Sequence, residues 1–222
     1  MAQVFAGLFT EGSTDLRFLE PIVRKTLTSV AFDCSGQIDI EISLIEIDKT
    51  GLNFVEQILK ASKDGFRDFG IMMLCVQTDA DNKTLQSTYQ SKIIPAVERL
   101  KEQDENLFCR ILTAIIPIQE TEAWMLADKE LLKREIGTEK TDNELEINRF
   151  PEDIANPKEV IENAIRIARA NLTKKRRSDL NIADLYFPIG QSIDIEKLET
   201  LSSFQNFKEN VRVAFRTLNL LH

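Results

Sequence analysis

The sequence contains very little histidine and cysteine. Its only histidine is His222, the last residue, so catalysis by a histidine is not expected. The three cysteines, Cys34, Cys75 and Cys109, lie far apart along the chain. Because Cys75 and Cys109 fall within apolar runs, we expect them to be buried thiols rather than metal ligands or disulfide partners.

Long apolar runs are also absent. No run approaches the roughly 18–20 residues that a helix needs to cross a bilayer, and the N-terminal stretch MAQVFAGLFTEG lacks the basic region of a signal peptide. We therefore expect a cytoplasmic protein without membrane association. With 222 residues, of which 43% are hydrophobic and 29% charged, the chain suits one globular domain, or one domain with a helical extension.

Acidic residues outnumber basic ones, and the formal net charge is −8. This balance argues against a protein that coats nucleic acid through its overall electrostatic field. One segment differs, because residues 166–177 contain six positive side chains and no acid. Such a stripe can bind phosphates, and a solvent-exposed helix face explains it equally well. Within this segment the candidate nucleic-acid-binding residues are Lys174, Lys175, Arg176 and Arg177.

The first half of the chain alternates strands and helices. Apolar patterns predict strands at residues 4–10, 38–47, 69–79 and 108–116, and helices starting near Ser13 and spanning residues 52–62 and 89–100. The third strand is continuously apolar, as in a central strand covered on both faces. The second alternates, as in a strand with one face open to water or at a sheet edge. This β-α-β order predicts an α/β fold with a parallel sheet.

The second half of the chain is mainly helical. Apolar spacing predicts helices at residues 118–132, 157–170 and 204–221, with a polar, acidic loop or linker at 137–151. We expect these helices to pack on or beside the sheet.

Carboxylates follow two of the predicted strands. Glu11 ends the first strand, and Asp79 and Asp81 end the third. If these strands are neighbours, the side chains converge, since functional groups collect at the carboxyl ends of parallel strands. Asp15, at the start of the first helix, could reach the same rim. Carboxylates this close repel one another, and a hard cation removes that repulsion, so we predict a Mg²⁺ or Mn²⁺ site with oxygen ligands.

Simpler explanations remain open for some of these residues. An acid at position 15 is also favourable at the positive end of a helix. Residues 79–82 also suit a plain turn.

At these positions the sequence resembles a Toprim domain, the catalytic module shared by topoisomerases, primases and overcoming-lysogenisation-defect nucleases. The matching motifs are the glutamate-glycine pair at 11–12, the acid at position 15 and the Asp-Ala-Asp at 79–81. The rest of the chain is similar to a Toprim-like family labelled a domain of unknown function. That similarity rests on PIQETEAWMLAD at 117–128, PKE at 157–159 and SFQNF at 203–207.

The resemblance implies a Toprim-like (Rossmann-like) α/β domain at residues 1–128 and a helical C-terminal extension at residues 129–222. Its parallel sheet would have four strands in the order 2-1-3-4. The resemblance also implies a Mg²⁺-dependent phosphodiester hydrolase, a nuclease acting on DNA or RNA, with Glu11, Asp79 and Asp81 as catalytic residues. Glu11 could hold the metal or pass a proton to the leaving oxygen.

Two glutamates, Glu120 and Glu122, follow the fourth predicted strand. They could complete a second metal site, because nuclease-type Toprim proteins need extra acids. Alternatively, they could be exposed helix residues on either side of Trp124. We expect Trp124 to anchor the core rather than to stack on bases. The predicted metal ligands are therefore Glu11, Asp15, Asp79, Asp81 and Glu122.

Other functions remain as alternatives. The protein could be a non-catalytic scaffold or a subunit of a prokaryotic defence system with a protein partner encoded nearby. It could also hydrolyse small phosphoesters, since the net charge of −8 does not favour a polyanion. Topoisomerase and primase activities are not expected, because the chain lacks an appended domain with a strand-attacking tyrosine and lacks a zinc module. A receiver-like phosphate acceptor would need a lysine before Pro117, where the sequence has Ile116.

Overall fold

A parallel sheet of four strands lies at the centre of the molecule, which the computed structural model describes at residues 2–80, 84–173 and 179–221. The strands are β1 (Ala2–Phe9), β2 (Ile38–Leu44), β3 (Met73–Gln77) and β4 (Leu112–Ile115). Their order is β2-β1-β3-β4, and every neighbouring pair is parallel. The predicted α/β fold and the predicted strand order 2-1-3-4 are confirmed.

Helices connect the strands and dominate the second half of the chain. Those of the first half are α1 (Ser13–Phe32), α2 (Phe54–Phe69), α3 (Leu85–Thr88) and α4 (Ile94–Lys101), with a π-helical turn at Tyr89–Ile93. Those after β4 are α5 (Glu122–Met125), α6 (Lys129–Ile136), α7 (Pro157–Ala168), α8 (Tyr186–Ser192), α9 (Ile195–Leu198) and α10 (Ser202–Thr217). Short 3₁₀ turns lie at Pro151–Asp153 and Ile182–Asp184. Within the described ranges, no helix has both the length and the apolar character needed to cross a membrane.

The strands differ in burial as their sequence patterns predict. Every residue of β3 is buried, because elements cover both faces of the sheet there. β2 lies at the end of the sheet beside β1, and all its residues are at least partly exposed. Its alternating pattern is therefore that of an edge strand.

The described residues form three hydrophobic cores, and adjacent residues of the central strands face the two larger ones. Leu8 belongs to the larger core, which includes α1 and helices of the second half, and Leu74 belongs to a smaller core with α2 and α4. Trp124 is fully buried in the larger core, so the prediction that it anchors the core is confirmed. Cys75 and Cys109 are buried as predicted, and burial raises the pKa of both thiols to about 12. The later helices thus pack on one face of the sheet, while the boundary at residue 128 stays a prediction.

The end of α2 corrects one prediction. The helix predicted at residues 52–62 extends further in the structure, because α2 continues to Phe69. A Cβ on Gly65 would lie 2.6 Å from Ile71 Cδ1, so this glycine allows close packing inside a helix. The helix ends instead at Gly70, whose φ of 61° is left-handed and suits a C-terminal cap.

The region after β4 corrects another prediction. The helix predicted at residues 118–132 is two short helices, α5 and α6. They are separate because Asp128 caps α6, its carboxylate accepting a hydrogen bond from the Leu131 N–H (3.0 Å). The strands predicted at 69–79 and 108–116 are also shorter in the structure, as β3 and β4.

Candidate functional site

Acidic side chains gather at the carboxyl ends of β1, β3 and β4. Glu11 and Asp79 each follow their strand by two residues, Asp15 lies in the first turn of α1, and Glu122 begins α5. Because β1 and β3 are hydrogen-bonded neighbours, the residues that follow them meet at one edge of the sheet. The charges of the other three acids all act on Asp79. The structure therefore brings four of the five predicted metal ligands to one region.

Gln77, the last residue of β3, is fully buried and connects three segments of the site. Its Oε1 accepts a hydrogen bond from the main-chain N–H of Glu11 (2.9 Å), and its Nε2 donates to Asp79 Oδ1 (2.9 Å). The Nε2 also lies 3.3 Å from Thr121 Oγ1, and the Thr121 hydroxyl donates to the same Asp79 oxygen (3.3 Å). This buried network fixes the Asp79 carboxyl relative to the backbone at Glu11.

The environment of Asp79 disfavours its charged form. Burial is the main reason that the pKa of Asp79 rises from 3.8 to about 8. The charges of Asp15, Glu11 and Glu122 raise this pKa further, and the hydrogen bond from Gln77 lowers it. At pH 7 the Asp79 carboxyl of the metal-free protein is therefore largely protonated.

The Asp15 side chain lies against Gly12, the residue that directly precedes α1. A Cβ on Gly12 would lie 2.6 Å from Asp15 Oδ2, so a larger residue at position 12 would force this carboxylate to move. Burial raises the pKa of Asp15, a hydrogen bond with Thr121 lowers it, and the charges of Glu122 and Glu11 raise it. Asp15 therefore lies at a helix start and also interacts with the other acids of the site.

Glu122 is buried, with 7% of its surface exposed, and is not an exposed helix residue. The Tyr186 hydroxyl, on α8, donates a hydrogen bond to Glu122 Oε1. Burial, and then this hydrogen bond, raise the pKa of Tyr186 well above its usual range, so the hydroxyl keeps its proton. Glu120 lies nearby, where its Oε2 accepts a hydrogen bond from the main-chain N–H of Lys158 (3.3 Å).

Two lysines approach the end of β1. Lys92 Nζ donates to Glu11 Oε1 (3.1 Å) and to Thr78 Oγ1 (2.6 Å). Lys49 Nζ donates to the main-chain oxygens of Thr10 and Glu11 (2.8 Å each). The acids of the site therefore have positive side chains beside them on the Glu11 side.

Some predicted site residues lie outside the described ranges. They are Asp81 and the proposed nucleic-acid-binding residues Lys174, Lys175, Arg176 and Arg177. Among residues 2–80, 84–173 and 179–221, no group of three or more histidine, cysteine, aspartate or glutamate side chains is arranged to hold a metal ion. The described acids interact electrostatically without forming a ready-made ligand cage.

Sequence reasoning missed four residues that organise the site: Gln77, Thr121, Lys92 and Tyr186. Gln77 had a local signal, because it is a polar residue at the end of an apolar strand. Thr121 lies between two glutamates that were singled out. Nothing in the sequence near Lys92 or Tyr186 indicates that either contacts an acid.

The fold and the site together define an α/β protein with acids gathered at the carboxyl edge of a parallel sheet. The chain belongs to the family described as Domain of unknown function (DUF4276), which matches residues 10–212. No curated protein and no solved structure matches the chain. Because the family description states no activity, function has to be argued from the site itself.

Proposed function

We propose that the protein is a Mg²⁺- or Mn²⁺-dependent phosphodiester hydrolase that acts on nucleic acid through a Toprim-type site. The observation that carries this proposal is the meeting of Glu11, Asp15, Asp79 and Glu122 at one edge of the sheet. A glutamate after the first strand and an aspartate after the third are the two positions on which the resemblance to a Toprim domain rests. The confirmed strand order makes those two strands neighbours.

The chemistry of the donor set fits a hard divalent cation. Carboxylate oxygens are the ligands that Mg²⁺ and Mn²⁺ prefer. In the metal-free protein the raised pKa of Asp79 favours its protonated form. A bound cation can replace that proton and neutralise the buried carboxylate. Since the described residues contain no ready group of three ligands, the proposal includes Asp81, two positions after Asp79 and outside the described ranges.

The side chains of the site take distinct roles in this proposal. When bound, the cation supplies a Lewis acid that polarises a phosphate oxygen and activates water. Asp79, held by Gln77, would bind the cation. Glu11 would share in this binding or pass a proton to the leaving oxygen. Tyr186 holds the buried Glu122 carboxylate through a hydrogen bond. In this proposal Glu122 would help to hold a second cation.

A second candidate function is hydrolysis of small phosphoesters by the same site. The net charge of −8 favours it, because an acidic protein repels a long polyanion. The nucleic-acid proposal relies instead on the basic segment at residues 166–177, which lies partly outside the described ranges. A third reading, a non-catalytic scaffold or defence-system subunit, predicts no turnover at all.

Cleavage assays with matched variants test these proposals. Labelled single- and double-stranded DNA and RNA, and a small phosphodiester such as bis(4-nitrophenyl) phosphate, are incubated with Mg²⁺, Mn²⁺ or EDTA. We expect cleavage by the wild type that EDTA abolishes. Glu11→Gln and Asp79→Asn should each reduce the rate by on the order of 10²-fold or more. Glu20→Gln, which removes an acid from the surface pair with Arg24, should leave the rate unchanged.

The outcomes separate the three functions. Cleavage of the small ester without cleavage of any nucleic acid would favour the second candidate. Full activity in Glu11→Gln and Asp79→Asn would show that the chemistry lies elsewhere. No cleavage of any substrate by the wild type would favour the scaffold.

A further inference from the structure

Lys92 places a positive charge inside the acidic site. Its ammonium donates to Glu11 Oε1 and to the Thr78 hydroxyl, and that hydroxyl donates to the same Glu11 oxygen (2.8 Å). The ammonium also lies 5.6 Å from the centre of the Phe54 ring, within the range of a cation–π interaction. The side chains of Lys92 and Glu11 are 24% and 38% exposed. The pair is therefore partly exposed to solvent, so an ion from solvent can reach it.

The backbone that carries Lys92 is unusual. Lys92 belongs to the π-helical turn between α3 and α4. Such turns are rare in proteins, and those that occur are often found at functional sites. Tyr89, the first residue of the turn, donates its hydroxyl to Asn206 on α10 (2.8 Å). The turn is thus anchored by the C-terminal helix at one end and presents Lys92 to Glu11 at the other.

We propose that Lys92 is the resident counter-ion of Glu11 in the metal-free protein, and that a divalent cation has to displace its ammonium to bind Glu11. This inference rests on the proposed metal-dependent function. A divalent cation on the Glu11 carboxylate would lie beside the Lys92 ammonium. The double positive charge of the cation would repel the ammonium strongly. The flexible four-carbon stem of lysine lets the ammonium turn toward solvent. Lys92 therefore sets the cation concentration at which the site fills.

Lys49 offers a matched control. Its ammonium is as close to the end of β1 as that of Lys92, but it is bonded to the main-chain oxygens of Thr10 and Glu11. Replacing Lys49 removes one positive charge near the site without freeing a carboxylate oxygen. The two lysines thus separate direct competition from the general effect of charge.

Mn²⁺ alone, titrated calorimetrically into the EDTA-treated and dialysed full chain, tests the inference. We expect Lys92→Met to bind Mn²⁺ about 3- to 10-fold more tightly than the wild type, and Lys49→Met to change the affinity less than about 2-fold. Equal gains in the two variants would show that only net charge matters and would overturn the proposal. Weaker binding by Lys92→Met would also overturn it, since Lys92 would then be positioning Glu11 for the metal.

Thermal melts without metal give a second readout. In EDTA, Lys92→Met should melt at a lower temperature than the wild type, because Glu11 loses its counter-ion. In a Glu11→Gln background the same substitution should cause little further loss, and this non-additivity measures the contact. An equal loss in both backgrounds would mean that Lys92 serves the helix rather than Glu11, which contradicts the proposal.

The failure of this inference and the failure of the proposed function give different results. Mn²⁺ binding by the wild type without a gain in Lys92→Met overturns the role of Lys92 alone. Mn²⁺ binding by Lys92→Met but not by the wild type supports that role and overturns the metal-dependent function. Absence of binding by both proteins overturns both.

Discussion

Replacing Asp79 by asparagine should stabilise the metal-free protein, and the gain should grow as the pH rises. Asparagine keeps the Oδ1 that accepts hydrogen bonds from Gln77 and Thr121, but it cannot ionise. In the folded wild type the pKa of Asp79 is about 8, against an ordinary value of 3.8. A raised pKa means that folding favours the protonated carboxyl. The stability that this group contributes is therefore present below pH 3.8 and is lost as the pH rises through about 8.

The size of the effect follows from the two pKa values. A tenfold difference in proton affinity corresponds to about 1.4 kcal/mol. Relative to a carboxyl with an ordinary pKa, Asp79 therefore lowers the free energy of unfolding by roughly 2 kcal/mol at pH 5, 4 at pH 7 and 6 at pH 9. For a chain of this length, about 4 kcal/mol corresponds to a melting-temperature difference of roughly 8–16 °C.

Urea unfolding in EDTA at pH 5, 7 and 9 measures this difference. We expect the stability gained by Asp79→Asn to increase by about 4 kcal/mol between pH 5 and pH 9. Asp33→Asn is the control, because Asp33 is exposed at the end of α1 and pairs with Arg212 at the surface (3.4 Å). A gain that is the same at all three pH values would refute the reasoning, since Asp79 would then ionise freely in the folded protein. Saturating Mg²⁺ should reduce the gain at high pH, because a cation favours the ionised wild type.

Two further substitutions test the packing of α8. Tyr186→Phe removes the donor to the buried Glu122 carboxylate and should lower the free energy of unfolding at pH 7 by about 2 kcal/mol; no loss in a urea titration would show that Glu122 finds another partner. Gly190→Ala should lower it by about 1–3 kcal/mol, because the new Cβ would lie 2.4 Å from the main-chain oxygen of Phe18 on α1. A higher melting temperature in Gly190→Ala would contradict this close contact between α8 and α1.

The sheet could be predicted because its strands carry different local patterns. The continuous apolar run of β3 corresponds to a strand whose residues are all buried, and the alternation of β2 corresponds to a half-exposed edge. The ends of elements were harder to predict. Gly65 signals a helix stop by its local propensity, but tertiary packing against Ile71 explains its presence inside α2.

The acids of the site could be predicted, whereas most of their partners could not. Glu11 and Asp79 follow strands directly, so the position of a strand end is enough to propose them. Lys92 is 81 residues from Glu11, and Tyr186 is 64 residues from Glu122, and only the folded chain brings these pairs together. The short-range patterns that predict helices and strands contain no information at such separations.

The acidic site opposes the stability of the fold that carries it. At pH 7 the raised pKa of Asp79 alone corresponds to about 4 kcal/mol, a large part of the roughly 5–15 kcal/mol that keeps a domain folded. Asparagine at this position would keep the hydrogen bonds and remove the destabilisation. Gln77 and Thr121 are both fully buried, yet their polar groups are used to hold this carboxyl. Proteins depart from their most stable arrangement mainly at functional sites, and a bound cation is the partner that would turn this cluster of acids from a destabilising feature into a stabilising one.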